Sequence, residues 1–95
     1  MLTLPIKKKW FDMIKSGDKK EEYREIKEYY KARFGALGIE DNSKHYILFR
    51  NGYSKNSPTI KCEVEITIGF GKEDWGAKLD EEYFVLKILS VEEII

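Results

Sequence analysis

The chain has 95 residues, 42% of them hydrophobic and 36% charged, with a formal net charge of zero and one cysteine. This length fits one domain over 1–95 and excludes two, and the aromatic content excludes a disordered chain. The neutral balance excludes strong non-specific binding to a polyanion, which needs several phosphate contacts.

In chain order, "LTLPI" (2–6) reads as a short strand, with Pro5 marking an edge or a strand end. "KKKWFDMIKSG" (7–17) reads as a helix. Trp10, Met13 and Ile14 fall at i, i+3 and i+4, and Gly17 supplies the stop. Trp10 at this spacing belongs to the core before it belongs to a stacking surface. Lys7, Lys8 and Lys9 open the helix at its dipole-disfavoured end, which leaves a solvated face or a phosphate-facing one. From Ile26, the residues Tyr29, Tyr30, Phe34 and Leu37 keep helical spacing until Gly35 and Gly38. "HYILFRNGY" (45–53) is a β-rich run ending in the turn signal Asn51-Gly52. In "TIKCEVEITIG" (59–69), Ile60, Cys62, Val64, Ile66 and Ile68 alternate with polar residues, the pattern of a half-buried antiparallel strand. "GFGKEDWGAKLDEE" reads as a loop and "YFVLKILSV" (83–91) as a closing strand. About five strands and two helices predict a mostly β, α+β fold: a small antiparallel β-barrel with flanking helices.

A lone Cys62 rules out a disulfide framework and is in keeping with a cytoplasmic location. The first ten residues lack the pattern of a secretory signal, and no stretch approaches the ~20 apolar residues of a membrane-spanning helix. With one Cys and one His, and no calcium-loop spacing, neither a metal nor another cofactor is expected. Charge is unevenly spread. Residues 1–34 balance at +4, the remainder at −4, and 42–61 carries Lys44, Arg50, Lys55 and Lys61 with no acid. A basic face for a polyanion and an ordinary solvated surface both fit this pattern.

Residues 19–25 decide where chemistry could lie. On a helix, residues two apart point about 200° away from each other, and Glu22 and Arg24 could share nothing. On a strand, Lys20, Glu22 and Arg24 share one face, while Glu21, Tyr23 and Glu25 take the other. A carboxylate beside a guanidinium is then a pre-oriented pair for the edge of a base or a phosphate, or an internal ion pair that pins the barrel.

"GDKKEEYR" fits G-x-K-x-x-E-x-R at Gly17, Lys19, Glu22 and Arg24, and so resembles the motif of ASCH domains. The preceding "LPIKKKWFDMIKS" and the later "FRNGY", "WGA" and "YFVLKI" are similar to that family's flanking elements. The resemblance implies a PUA-like barrel in which residues 19–25 are a strand followed by a helix, with a cleft beside the motif that binds RNA or another nucleic acid. Candidate nucleic-acid-binding residues are Gly17, Lys19 at the rim, Glu22, Arg24, Arg50, Asn51 and Trp75, the last in a Gly-flanked loop where it could stack on a base. Partners would be RNA, a single-stranded nucleic acid or a modified nucleoside. Some ASCH proteins are hydrolases, so a nucleoside amidohydrolase or ribonuclease with Lys19 and Glu22 as catalytic residues is the alternative. The amidohydrolase branch has a threonine where this chain has Glu22, and its chemistry does not carry over unchanged. A third reading is a protein-interaction adaptor using the acidic loop "EDWGAKLDEE" (73–82).

Overall fold

The computed structural model describes residues 1–36 and 43–94. The strands are β1 (Leu2–Pro5), β2 (Glu21–Glu25), β3 (Ser43–Arg50), β4 (Thr59–Phe70) and β5 (Glu82–Glu93). The helices are α1 (Lys8–Ser16) and α2 (Glu28–Ala36), and a 3₁₀ turn covers Glu73–Trp75. One sheet in the order β1-β3-β4-β5-β2 curls into a half-barrel, an α+β fold made mostly of strands. Three of its four pairings are antiparallel, and β1 runs parallel to β3.

The alternation in β4 builds the core. Ile60, Cys62, Val64 and Ile66 are buried, whereas Lys61, Glu63 and Glu65 on the other face are only partly covered. The pattern fades at the end of the strand, where Ile68 and Phe70 are exposed. Leu4 from β1, Ile47 and Phe49 from β3, and Phe84 and Leu86 from β5 join the same cluster. Phe11 and Ile14 of α1 and Phe34 of α2 close it. Burying each such side chain stabilises the fold by about 1.5–3 kcal/mol.

Local signals explain the joints. Gly17 sits at φ 89° and its N–H donates to the Ile14 carbonyl, ending α1 in the left-handed conformation that glycine tolerates best. The Lys19 N–H then donates to the Met13 carbonyl (2.9 Å), which pins the chain as it turns into β2. Residues 21–25 pair antiparallel with β5, Glu22 opposite Leu86 and Arg24 opposite Phe84. The strand, not the helix, is therefore the conformation of the motif. The helical spacing from Ile26 is real but α2 starts at Glu28. A tight bend in which the Lys27 N–H donates to the Glu25 carbonyl separates strand from helix. Ile26, Tyr30 and Phe34 pack inward, and Tyr29 is 46% exposed. The expected end of that helix at Leu37 and Gly38 lies outside the described residues. Asn51-Gly52 opens a loop over 51–58 rather than a two-residue hairpin, and the Asn51 N–H closes it on the Pro58 carbonyl (2.9 Å).

The two edge strands approach each other across the open side of the half-barrel. Arg24 Nη2 on β2 donates to the Pro5 carbonyl on β1 at 3.0 Å. Beside this crossing point lies a cleft lined by Pro5, Glu22 and Arg24. The 3₁₀ turn and the loop after it are brought to its mouth by a second, smaller cluster on the outer face, in which Ala77, Tyr83 and Val85 pack with Tyr23.

Candidate functional site

The cleft has a volume of about 500 Å³, within the usual range for small-molecule sites. Its floor comes from β2, through Glu22 and Arg24. Its walls are aromatic: Trp10 from α1, Tyr30 from α2, Trp75 from the 3₁₀ turn and Tyr83 from β5. Lys7, Lys78, Glu25 and Glu81 stand around it with mixed charge. Gly76, next to Trp75, has φ 102°, and a Cβ there would lie 3.0 Å from the Trp10 ring. The close approach of turn to ring is therefore built on glycine.

Strand geometry places Glu22 and Arg24 on one face, and the pair is made. Glu22 Oε2 accepts from Arg24 Nη2 at 2.7 Å, and Oε1 lies 3.3 Å from Lys19 Nζ. Both ends of the carboxylate thus face a cation. All three side chains are sequestered, at 0%, 8% and 10% exposure for Lys19, Glu22 and Arg24. The guanidinium also donates from Nη1 to the Tyr30 hydroxyl (3.1 Å). Its buried Nε has no hydrogen-bond partner among the described residues.

Lys19 differs from expectation. Spacing and motif set it at the rim of the cleft, but its ammonium lies beneath. It is 4.5 Å from the Trp10 ring centre and 5.1 Å from that of Tyr23, and it donates to the Trp75 carbonyl. Burial lowers its pKa from the ordinary lysine value of 10.5, and the Glu22 carboxylate works in the opposite direction. The cation ties three separate segments to one point, and desolvated contacts of this kind are worth about 2 kcal/mol or more. Tyr23 leaves β2 on the face opposite Glu22 and Arg24 but also lines the cleft; it donates to Glu21 (2.7 Å) and accepts from the Lys72 N–H (2.9 Å). Burial raises its pKa.

The other candidates divide. Trp75 lines the cleft with Glu22 and Arg24, while Gly17 shapes the turn behind it and does not line it. Arg50 turns to Thr59 (3.4 Å) and lies outside the cleft. Asn51 lines a neighbouring concavity. Tyr30 and Tyr83 line the cleft as well, although on its own element each reads as an ordinary core aromatic. Trp10 serves both purposes, packed against the core and lining the cleft.

No protein-family model matches the chain, and searches of curated proteins and of solved structures give no match. Function must be read from the cleft itself. Among the described residues, no group of three or more His, Cys, Asp or Glu side chains is placed to hold a metal ion. No described helix is long and apolar enough to cross a membrane. Cys62 is buried, and burial pushes its thiol up to about 12, so it is no ready nucleophile.

Proposed function

We propose that the protein binds nucleic acid by taking one unstacked base of a single strand into this cleft. The observation that carries the reading is a carboxylate–guanidinium pair at the floor of a cavity with aromatic walls. Bases offer flat faces for Trp10, Tyr30 and Trp75, at about 1–3 kcal/mol per stacked base. Glu22 retains lone pairs for an exocyclic amine, the donor that acidic side chains read on bases. A single strand fits better than a duplex, because a cleft on a small barrel grips a splayed base but cannot enter a deep RNA groove. The ASCH-like motif at Gly17, Lys19, Glu22 and Arg24 agrees with this reading, under which the protein would act in the cytoplasm.

Binding is favoured over hydrolysis by the position of Lys19. Its ammonium is engaged by Glu22 and the Trp75 carbonyl behind the aromatic wall, not presented to a ligand as a base or nucleophile would be. The test is an amide NMR titration of the labelled protein at low salt with nucleoside monophosphates and acetylated or methylated cytidine. Shifts clustered on Trp10, 22–25, Tyr30 and 75–78 are expected, and the ligand should be recovered unchanged after incubation. A folded sample that shows no shift with any of these ligands overturns the proposal, and turnover of one of them moves the protein to the hydrolases.

A further inference from the structure

A second concavity, of about 330 Å³, adjoins the first. It is lined by Asn51, Gly52 and Tyr53, and it shares Pro5, Ile6 and Lys7 with the larger cleft. The two hollows therefore meet at Pro5, Ile6 and Lys7. Tyr53 is 93% exposed and belongs to neither core cluster, so its ring does no packing work inside the fold. The loop that carries it is nonetheless held by hydrogen bonds of its own, among them the Asn56 N–H donating to Ser54 Oγ (3.2 Å). Asn51 N–H donates to the Pro58 carbonyl, and Ser57 N–H donates to that of Ser54 (3.0 Å).

Charge separates the hollows. The first is of mixed sign, with Glu22, Glu25 and Glu81 among its basic neighbours. The second is lined by no acid, and its loop falls within the acid-free stretch 42–61 that includes Lys55. A neutral base edge suits the first and a phosphodiester suits the approach to the second. Asn51 adds an amide able to donate and accept, and Tyr53 a flat ring.

We infer that the second hollow receives the neighbouring nucleotide of the same strand, with its base on Tyr53 and the connecting phosphate passing Lys7. The ligand class is therefore a single-stranded oligonucleotide and not a free nucleoside. This rests on the reading of the first cleft given above.

The deciding experiment compares the affinities of nucleoside monophosphates with those of mixed-sequence hexanucleotides, for the full chain at low salt. RNA and DNA versions distinguish the two sources of the same backbone. The hexanucleotide is expected to bind at least tenfold tighter, with added amide shifts at Asn51–Tyr53. In Tyr53→Ala, a change at an exposed ring, the ratio of the two affinities should fall towards one. Lys7→Gln should flatten the salt dependence of hexanucleotide binding by about 0.7 in log–log slope, the loss of one phosphate contact to a single strand. If monophosphates shift the first cleft but the hexanucleotide binds no tighter, this inference fails and the single-base reading stands. If neither ligand class shifts the first cleft, both are overturned.

Discussion

Replacing Glu22 by glutamine keeps the shape of the side chain and removes the one negative charge between Lys19 and Arg24. The amide must also turn its NH₂ towards a donor, either the ammonium 3.3 Å away or the guanidinium 2.7 Å away. Because the three side chains are at most 10% exposed, solvent screens little of the loss. Breaking a buried ion pair by removing one partner costs about 3–5 kcal/mol. A domain of this size has a total stability of roughly 5–14 kcal/mol, so Glu22→Gln should unfold at a much lower temperature, by roughly 12–40 °C. Urea denaturation and thermal melts followed by circular dichroism measure both quantities. The double variant Lys19→Met, Glu22→Gln removes a stranded cation as well. It should recover at least about 1 kcal/mol relative to Glu22→Gln alone, within the range of coupling between contacting residues. A melting temperature lowered by less than about 5 °C, or a double variant no more stable than the single one, would refute the claim that a buried charge network holds the motif strand in place.

Alkaline pH probes Tyr23. Its pKa is raised by burial from the ordinary value of 10.0, so above pH 10 the unfolded chain releases a proton that the folded one keeps, and stability falls. Tyr23→Phe should flatten that decline. Lys19 acts in the opposite sense: its lowered pKa makes stability rise as pH nears 10.5 from below, and Lys19→Met should remove that rise in melts taken from pH 8 to 11. Gly76→Ala forces a side chain into φ 102° and against Trp10; a loss of about 1–3 kcal/mol is expected, together with weaker nucleotide binding by titration. Arg24→Lys keeps the charge but not the fork that meets Glu22, Tyr30 and Pro5, and should cost about 1.5–3 kcal/mol in the same denaturation assay.

The strands were legible wherever alternation was strict, as in 59–66, because a period of two admits one reading. The motif strand was legible for a weaker reason: Glu22 and Arg24 make sense together only when they point the same way, and the Gly17-Asp18 break denies the helix a continuous run. The depth of Lys19 was not legible. It depends on a ring nine residues before it and a carbonyl 56 residues after it, and no local pattern records either distance. Tyr30 and Tyr83 were hidden in the same way, since spacing assigns a residue to a face of its own element and not to the neighbour that face meets. Trp75 stood out because glycine follows it in a polar loop, where a large ring has no obvious core to join.

The crossing from Arg24 to the Pro5 carbonyl also bears on how molecules meet one another. An open sheet leaves two edges whose unpaired backbone groups could recruit a strand from another molecule. Here both edges are short, at four and five residues. One ends in a proline that has no N–H to offer, with its carbonyl already taken by Arg24. The other carries Glu21, Glu22, Arg24 and Glu25 in five positions, so a second copy paired antiparallel about Tyr23 would set Glu21 against Glu25, and one paired parallel in register would set every charge against its own kind. An open half-barrel is in this way blunted at both edges, and the arginine that floors the cleft is part of what covers one of them.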